Sequence, residues 1–168
     1  MKKRSGLLMT VLVFALLSVL VVPAYAGPPD DNVGGLWKYK PTIVGTRLAG
    51  GNTFLTTQEE AVWSGTFDGT STEDGKVVVH SSGAWSFKGI VTFEGVVNDN
   101  DNEGTMKMRV VGSRPDVFTE WTGKWVIISG TGGLAGLRGQ GTWTGPGAPA
   151  AGEWGDIYYS GNIHFEPK

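Results

Sequence analysis

Cysteine is absent from all 168 residues. That excludes thiol catalysis, thiolate metal sites and redox work, and any exported domain must stand without disulfides. Histidine is nearly absent, with only His80 and His164, so a histidine-rich metal centre has too few ligands. There is no basic cluster after residue 4. Beyond residue 26 the chain keeps 11 basic against 16 acidic residues, a net of −5, which argues against nucleic acid and anionic membranes as partners. No stretch beyond residue 26 carries apolar residues at helical spacing for three turns. A G-x-S-x-G nucleophile elbow is missing too.

What is present begins with an export signal. Lys2, Lys3 and Arg4 precede an uncharged apolar run, Leu7 to Val22, and then Ala24-Tyr25-Ala26. The run is shorter than the roughly 20 residues a membrane span needs, and small residues stand where a signal peptidase reads. Cleavage is expected between Ala26 and Gly27. The protein is then secreted or extracytoplasmic, with no membrane span after cleavage. The expected layout is a signal peptide at 1–26, a flexible N-terminal tail at 27–33 and one domain at 34–168.

Glycine (27) and tryptophan (7) dominate the mature part. Short period-2 alternations, broken by Gly, Asn and Asp, predict strands near 35–46, 52–57, 61–70, 76–81, 84–98, 104–112, 119–129, 138–145 and 156–166, a count good to plus or minus one. Aromatic residues and glycines share one face. Examples are Trp85, Phe87, Gly89, Val91 and Phe93; Trp121, Gly123 and Trp125; Gly139, Gly141 and Trp143; and Tyr159, Gly161 and Ile163. The intervening positions are mostly polar. Glycine beside rings lets a sheet curve while the rings cover the bare backbone. A strongly curved antiparallel sheet of about eight strands closes into a barrel and loses its edges. The expected fold is therefore all-β: a single antiparallel, roughly eight-stranded closed barrel, with a flat two-sheet sandwich as the alternative.

The stretch Ser129-Gly-Thr-Gly-Gly-Leu-Ala-Gly-Leu-Arg-Gly-Gln-Gly-Thr-Trp143 carries a resemblance. Gly130, Thr131, Gly132, Leu134, Gly136, Gly139 and Gly141 fit a motif of the allene oxide cyclase-like barrel group, which takes in allene oxide cyclases, dirigent proteins and bacterial DUF3224-type proteins. The chain resembles the last of these most. The resemblance implies an eight-stranded barrel, a homo-oligomer in some members, and cofactor-free steering of a reactive intermediate in the cyclases and dirigent proteins. It transfers no site residue. Read from the residues alone, the motif is a glycine-rich connection between two strands. Because no helix pattern follows Gly136, it does not read as a phosphate cradle.

The candidate ligand-binding set is Trp63, Trp85, Phe87, Phe93, Trp121, Trp125, Trp143 and Tyr159. These rings either pack the interior or line an apolar cavity for a small hydrophobic or aromatic molecule. Alternation does not settle whether Trp37 and Trp154 belong to them. A cofactor-free cyclase or isomerase would need polar groups in that cavity, and Glu94, Tyr159, Asn162 and His164 are the candidates. A carbohydrate or surface interaction module would need exposed coplanar rings. No cofactor and no metal is expected. Asn98 to Gly104 is oxygen-rich but departs from the EF-hand spacing, and reads as a solvated turn rather than a calcium loop. Among the carboxylates Glu59, Glu60, Asp68, Glu94 and Glu120, spacing selects no pair.

Overall fold

The computed structural model describes residues 30–98, 103–146 and 152–166. The expected signal peptide and most of the Asn98–Gly104 turn lie outside the described residues. Eight strands follow one another: β1 (Asp30–Ala49), β2 (Asn52–Gly65), β3 (Phe67–Val79), β4 (Trp85–Val97), β5 (Gly104–Arg114), β6 (Trp121–Gly132), β7 (Leu137–Gly145) and β8 (Gly155–Phe165). Each pairs antiparallel with the next, and β1 pairs with β8, so the ring closes as a barrel. No helix occurs among the described residues, and none there is long and apolar enough to cross a membrane.

The strand count agrees with expectation, but one boundary does not. The segments expected at 52–57 and 61–70 are not separate: β2 runs unbroken through Gln58, Glu59 and Glu60, and the chain turns at Thr66 instead. β1 takes in Asp30 to Val33, part of the stretch assigned above to a tail, and Val33 is buried.

Period-2 alternation sends every second side chain inward. In β3 the burial pattern from Phe67 alternates along almost the whole strand. The packed half of the interior is built around Trp63, whose ring meets those of Trp37, Phe67, Phe93 and Tyr159 at centroid distances of 4.4 to 5.9 Å. Its indole N–H donates to Ser71 Oγ at 2.8 Å, so the buried polar atom is satisfied.

Glycines make room for these rings. Trp125 lies across Gly141, its partner on β7, and Gly161, the partner of Gly141 on β8, and donates to the Ser160 carbonyl. Trp143 lies likewise across Gly123 and Gly112 and donates to the Val111 carbonyl. Each indole thus covers backbone that has no side chain of its own.

Tyr159 spans the interior beneath Gly35. Its hydroxyl accepts from Phe67 N at 2.9 Å and donates to the Ser64 carbonyl at 3.3 Å, pinning the β2–β3 turn to β8. A Cβ at Gly35 would stand 2.6 Å from that hydroxyl. Burial pushes the phenol up to about 12. Tyr159→Phe leaves the Phe67 N–H without its partner and is expected to lower unfolding free energy by about 1–2 kcal/mol. Urea denaturation reads this, and an unchanged midpoint would refute the strut.

One end of the barrel is sealed. The glycine-rich connection from β6 to β7 folds inward and places Leu134, fully buried, beside Leu137. Its backbone is fixed by Gly133 N to Glu103 O, Leu134 N to Thr131 O and Leu137 N to Leu134 O. Gly132 and Gly136 take φ of +61° and +79°, which suits glycine. Phe67, Phe93, Val97 and Met106 complete this end with almost no exposure.

Candidate functional site

At the opposite end the interior is not filled. There β1 turns into β2, β3 into β4 and β5 into β6, and a cavity of about 270 Å³ remains. Trp37, Trp121, Trp143 and Phe87 form its ring walls, and Leu55, Val77 and Ile157 fill the gaps between them. The rings meet edge to face: Phe87 with Trp121 at 78° and with Trp143 at 84°. Ile43, 52% exposed, stands at the open side. The surrounding rim carries Leu48 and Phe118, which are 77% and 96% exposed.

Arg114 at the end of β5 stiffens this rim. Its guanidinium sits 4.3 Å from the Trp85 ring and 5.0 Å from the Trp121 ring, and Nη1 donates to the Val117 carbonyl. The stacked cation holds two strand starts together. Asp116 accepts from the backbone N–H of Phe118 and Thr119 and from the Thr119 hydroxyl, which fixes the turn that presents Phe118.

One side of the cavity is polar. Glu59 on β2 and Glu73 on β3 are directly opposed across the strand pair, and both line the cavity together with Thr57 and Tyr39. Opposed residues of an antiparallel pair hold their Cβ atoms roughly 5 Å apart. Glu73 is 6% exposed. A Cβ at Gly89 would collide with its carboxyl oxygen, so that glycine leaves the niche the carboxyl occupies. Gly75 makes the matching space for the Thr57 hydroxyl and the Phe87 ring. Among the described residues Glu73 Oε1, Thr57 Oγ1 and, at the rim, Arg114 Nε are buried with no hydrogen-bond partner. Burial, and then the charge of Glu59, raise the Glu73 carboxyl well above its ordinary value. Burial pushes Glu59 up to about 7. Tyr39 is raised as well, chiefly by burial, and stays a neutral phenol.

The fold, the sealed end and the cavity now stand beside what is known of other chains. Residues 39–148 match the family described as protein of unknown function (DUF3224). The chain belongs to the DUF3224 family. This DUF3224 barrel is similar to the crystal structure of a protein of unknown function from the same family in Shewanella oneidensis MR-1. The TM-score is 0.60 at 17% identity, covering 81% of this chain and 98% of that one, a likeness that speaks for the fold alone. No curated protein matches the chain. The family reading taken from the Ser129–Trp143 stretch is borne out. The glycine-rich part of the stretch lies at the far end, and only its last residue, Trp143, reaches the cavity lining.

Within this DUF3224 barrel the eight expected ligand-binding rings divide. Trp85, Phe87, Trp121 and Trp143 line the cavity, whereas Trp63, Phe93, Trp125 and Tyr159 belong to the packed half. Trp37 and Tyr39 are lining residues that alternation did not single out. The four polar candidates are dispersed. Glu94 and Asn162 are exposed on the outer wall, and His164 is half-buried opposite Arg138. Tyr159 points inward with its hydroxyl already bonded twice. His80 lies in the β3–β4 turn against Ser86 Oγ. Among the described residues no three His, Asp or Glu side chains gather as a metal site. Six of the seven tryptophans are buried or half-buried, and only Trp154 is more than half exposed.

Proposed function

We propose that this protein is an exported binding barrel that holds a small, planar, largely apolar molecule in the cavity at its open end. The observation that carries the reading is the ring-walled space of about 270 Å³ left unfilled in an otherwise packed interior. Ligand sites of small molecules run from roughly 300 Å³ upward, and a cavity of roughly 150 Å³ accepts one benzene, so this space suits one or two rings. Rings at right angles offer both faces and edges to an aromatic guest. Export rests on the residue 1–26 pattern, and in that setting a cavity that needs no nucleotide cofactor is self-sufficient.

Four of the lining residues are tryptophans, so the protein reports its own occupancy. Titration with naphthalene derivatives is expected to quench or shift intrinsic fluorescence with saturation. Val77→Phe places a ring inside the space and is expected to weaken that binding by about tenfold or more, with the near-ultraviolet dichroism of the folded barrel retained. Binding undiminished in Val77→Phe would place the ligand elsewhere. A panel that leaves the fluorescence unchanged would remove the reading.

A further inference from the structure

The polar side of the cavity goes unused by an apolar guest. It holds two carboxyls, the Thr57 hydroxyl and the Tyr39 phenol, and among the described residues no hydrogen bond reaches Glu73 Oε1. Arg114 gives Nη1 to Val117, and among the described residues no ion pair joins it to either glutamate. The arrangement is built rather than incidental. Gly89 and Gly75 are bare where the Glu73 carboxyl and the Thr57 hydroxyl need room. Thr57 Oγ1 and Glu73 Oε1 are at least nine-tenths buried, face the cavity and lack a partner. A buried polar atom left without a partner costs free energy in the empty protein and stabilises a ligand that supplies the missing bond. What is missing is a donor bearing positive charge. The ring walls suit the same charge, since indole faces attract cations and Trp85 and Trp121 already hold one in Arg114.

We infer that the cavity selects a small aromatic amine in its protonated form, with the ammonium group between Glu59, Glu73 and Thr57 and the ring among Trp37, Phe87 and Trp143. This rests on the cavity being a ligand site and adds the charge and head group of the ligand. A metal ion fits less well, because two carboxyls and one hydroxyl among indoles fall short of the six or more oxygens a hard cation takes.

Three probes with one ring system separate the possibilities: naphthylmethylamine, naphthalenemethanol and naphthoate, each titrated calorimetrically into the intact protein near neutral pH. The amine is expected to bind at least about tenfold tighter than the alcohol, as a charge-assisted bond to a buried carboxylate is worth that much, and naphthoate weakest. Glu73→Gln keeps the shape and is expected to bring the amine down to the alcohol while moving the alcohol itself by less than about twofold. Glu59→Gln carries the same expectation should Glu73→Gln fail to fold. The groups that face the pair are Tyr39 on β1, Thr57 on β2 and Asp74 beside Glu73, with Arg114 at the rim. Glu59, raised to about 7 by burial, gains its proton on acidification through the weakly acidic range, so the amine's advantage is expected to shrink there. An alcohol that binds as tightly as the amine overturns the inference and leaves the binding reading intact. Preference for naphthoate overturns it in favour of Arg114. An amine preference that survives both glutamine variants also overturns it. If none of the three probes binds, the ligand-site reading itself fails.

Discussion

Gly141→Val is expected to cost the barrel about 3 kcal/mol, the upper range for overpacking a filled interior, and to lower Tm by roughly 10 °C for a domain of this size. A Cβ at Gly141 would run into the Ser160 carbonyl and stand 2.5 Å from Cζ2 of Trp125. Neither neighbour yields easily. The carbonyl belongs to the β7–β8 ladder, and the indole is held by its own bond to Ser160 and by the perpendicular Phe67 ring at 5.9 Å. Gly83→Ala is the contrast. Its φ is +89°, but nothing lies within 4 Å, so only backbone strain is felt, about 1 kcal/mol. Thermal or urea unfolding of the two variants side by side decides the matter. Equal losses would mean that glycine is kept at Gly141 for its backbone, and that the indole does not depend on the vacant position.

The second large effect is a loss of stability as pH rises through neutrality. In the unfolded chain Glu59 and Glu73 titrate near the ordinary carboxyl value of 4.5. In the folded barrel burial raises both, Glu59 to about 7 and Glu73 well above its ordinary value. Between those values the folded state holds more protons than the unfolded one, so raising the pH favours unfolding. The penalty is absent below about pH 4.5 and complete once pH exceeds the folded values, and for Glu59 alone it is on the order of 3 kcal/mol. Asp116 acts the other way: hydrogen bonds from Thr119 and Phe118 hold it low, so its contribution fades only as pH falls further. Denaturation midpoints measured from weakly acidic to weakly basic pH are therefore expected to fall. The Glu59→Gln, Glu73→Gln double variant is expected to flatten the profile and to be the more stable protein at the basic end. A midpoint that holds or climbs over that range, or an equal slope in the double variant, would show that the carboxyls are not buried as described.

The barrel was legible because its interior is written in period 2. Trp85, Phe87 and Phe93, or Trp121 and Trp125, announce an inward face, and the glycines between them mark curvature. Ring closure followed from that curvature, and the family from the glycine-rich stretch at 130–141. The division between packed and open halves was not legible. Trp63 and Trp143 have the same local pattern, and only their depth along the barrel axis separates a filling ring from a lining one. The acidic pair was hidden for a more specific reason. Gln58-Glu59-Glu60 and Ser71-Thr72-Glu73-Asp74-Gly75 have the composition of turns, and the strand prediction broke at both places. Read in register with Leu55 and Thr57, or with Phe67 and Val77, both glutamates fall inward. The two breaks are thus where local chemistry and global fold disagree, which is where function tends to lie. Trp37 was obscured by Gly34, Gly35 and Pro41 around it, and Arg114 by its place at a strand end.

Leu134 closes the barrel like the base of a cup. A cup has one mouth, so a guest of the proposed kind would leave by the way it came, past the rim that presents the exposed Phe118. A barrel closed in this way that held a guest would store or ferry it rather than pass it through. If it takes a molecule from one surface and yields it to another, both must be met by the same face, one after the other. Pick-up and delivery then compete for a single rim, and the residence time of the guest, rather than the direction of travel, becomes the quantity that selection can adjust.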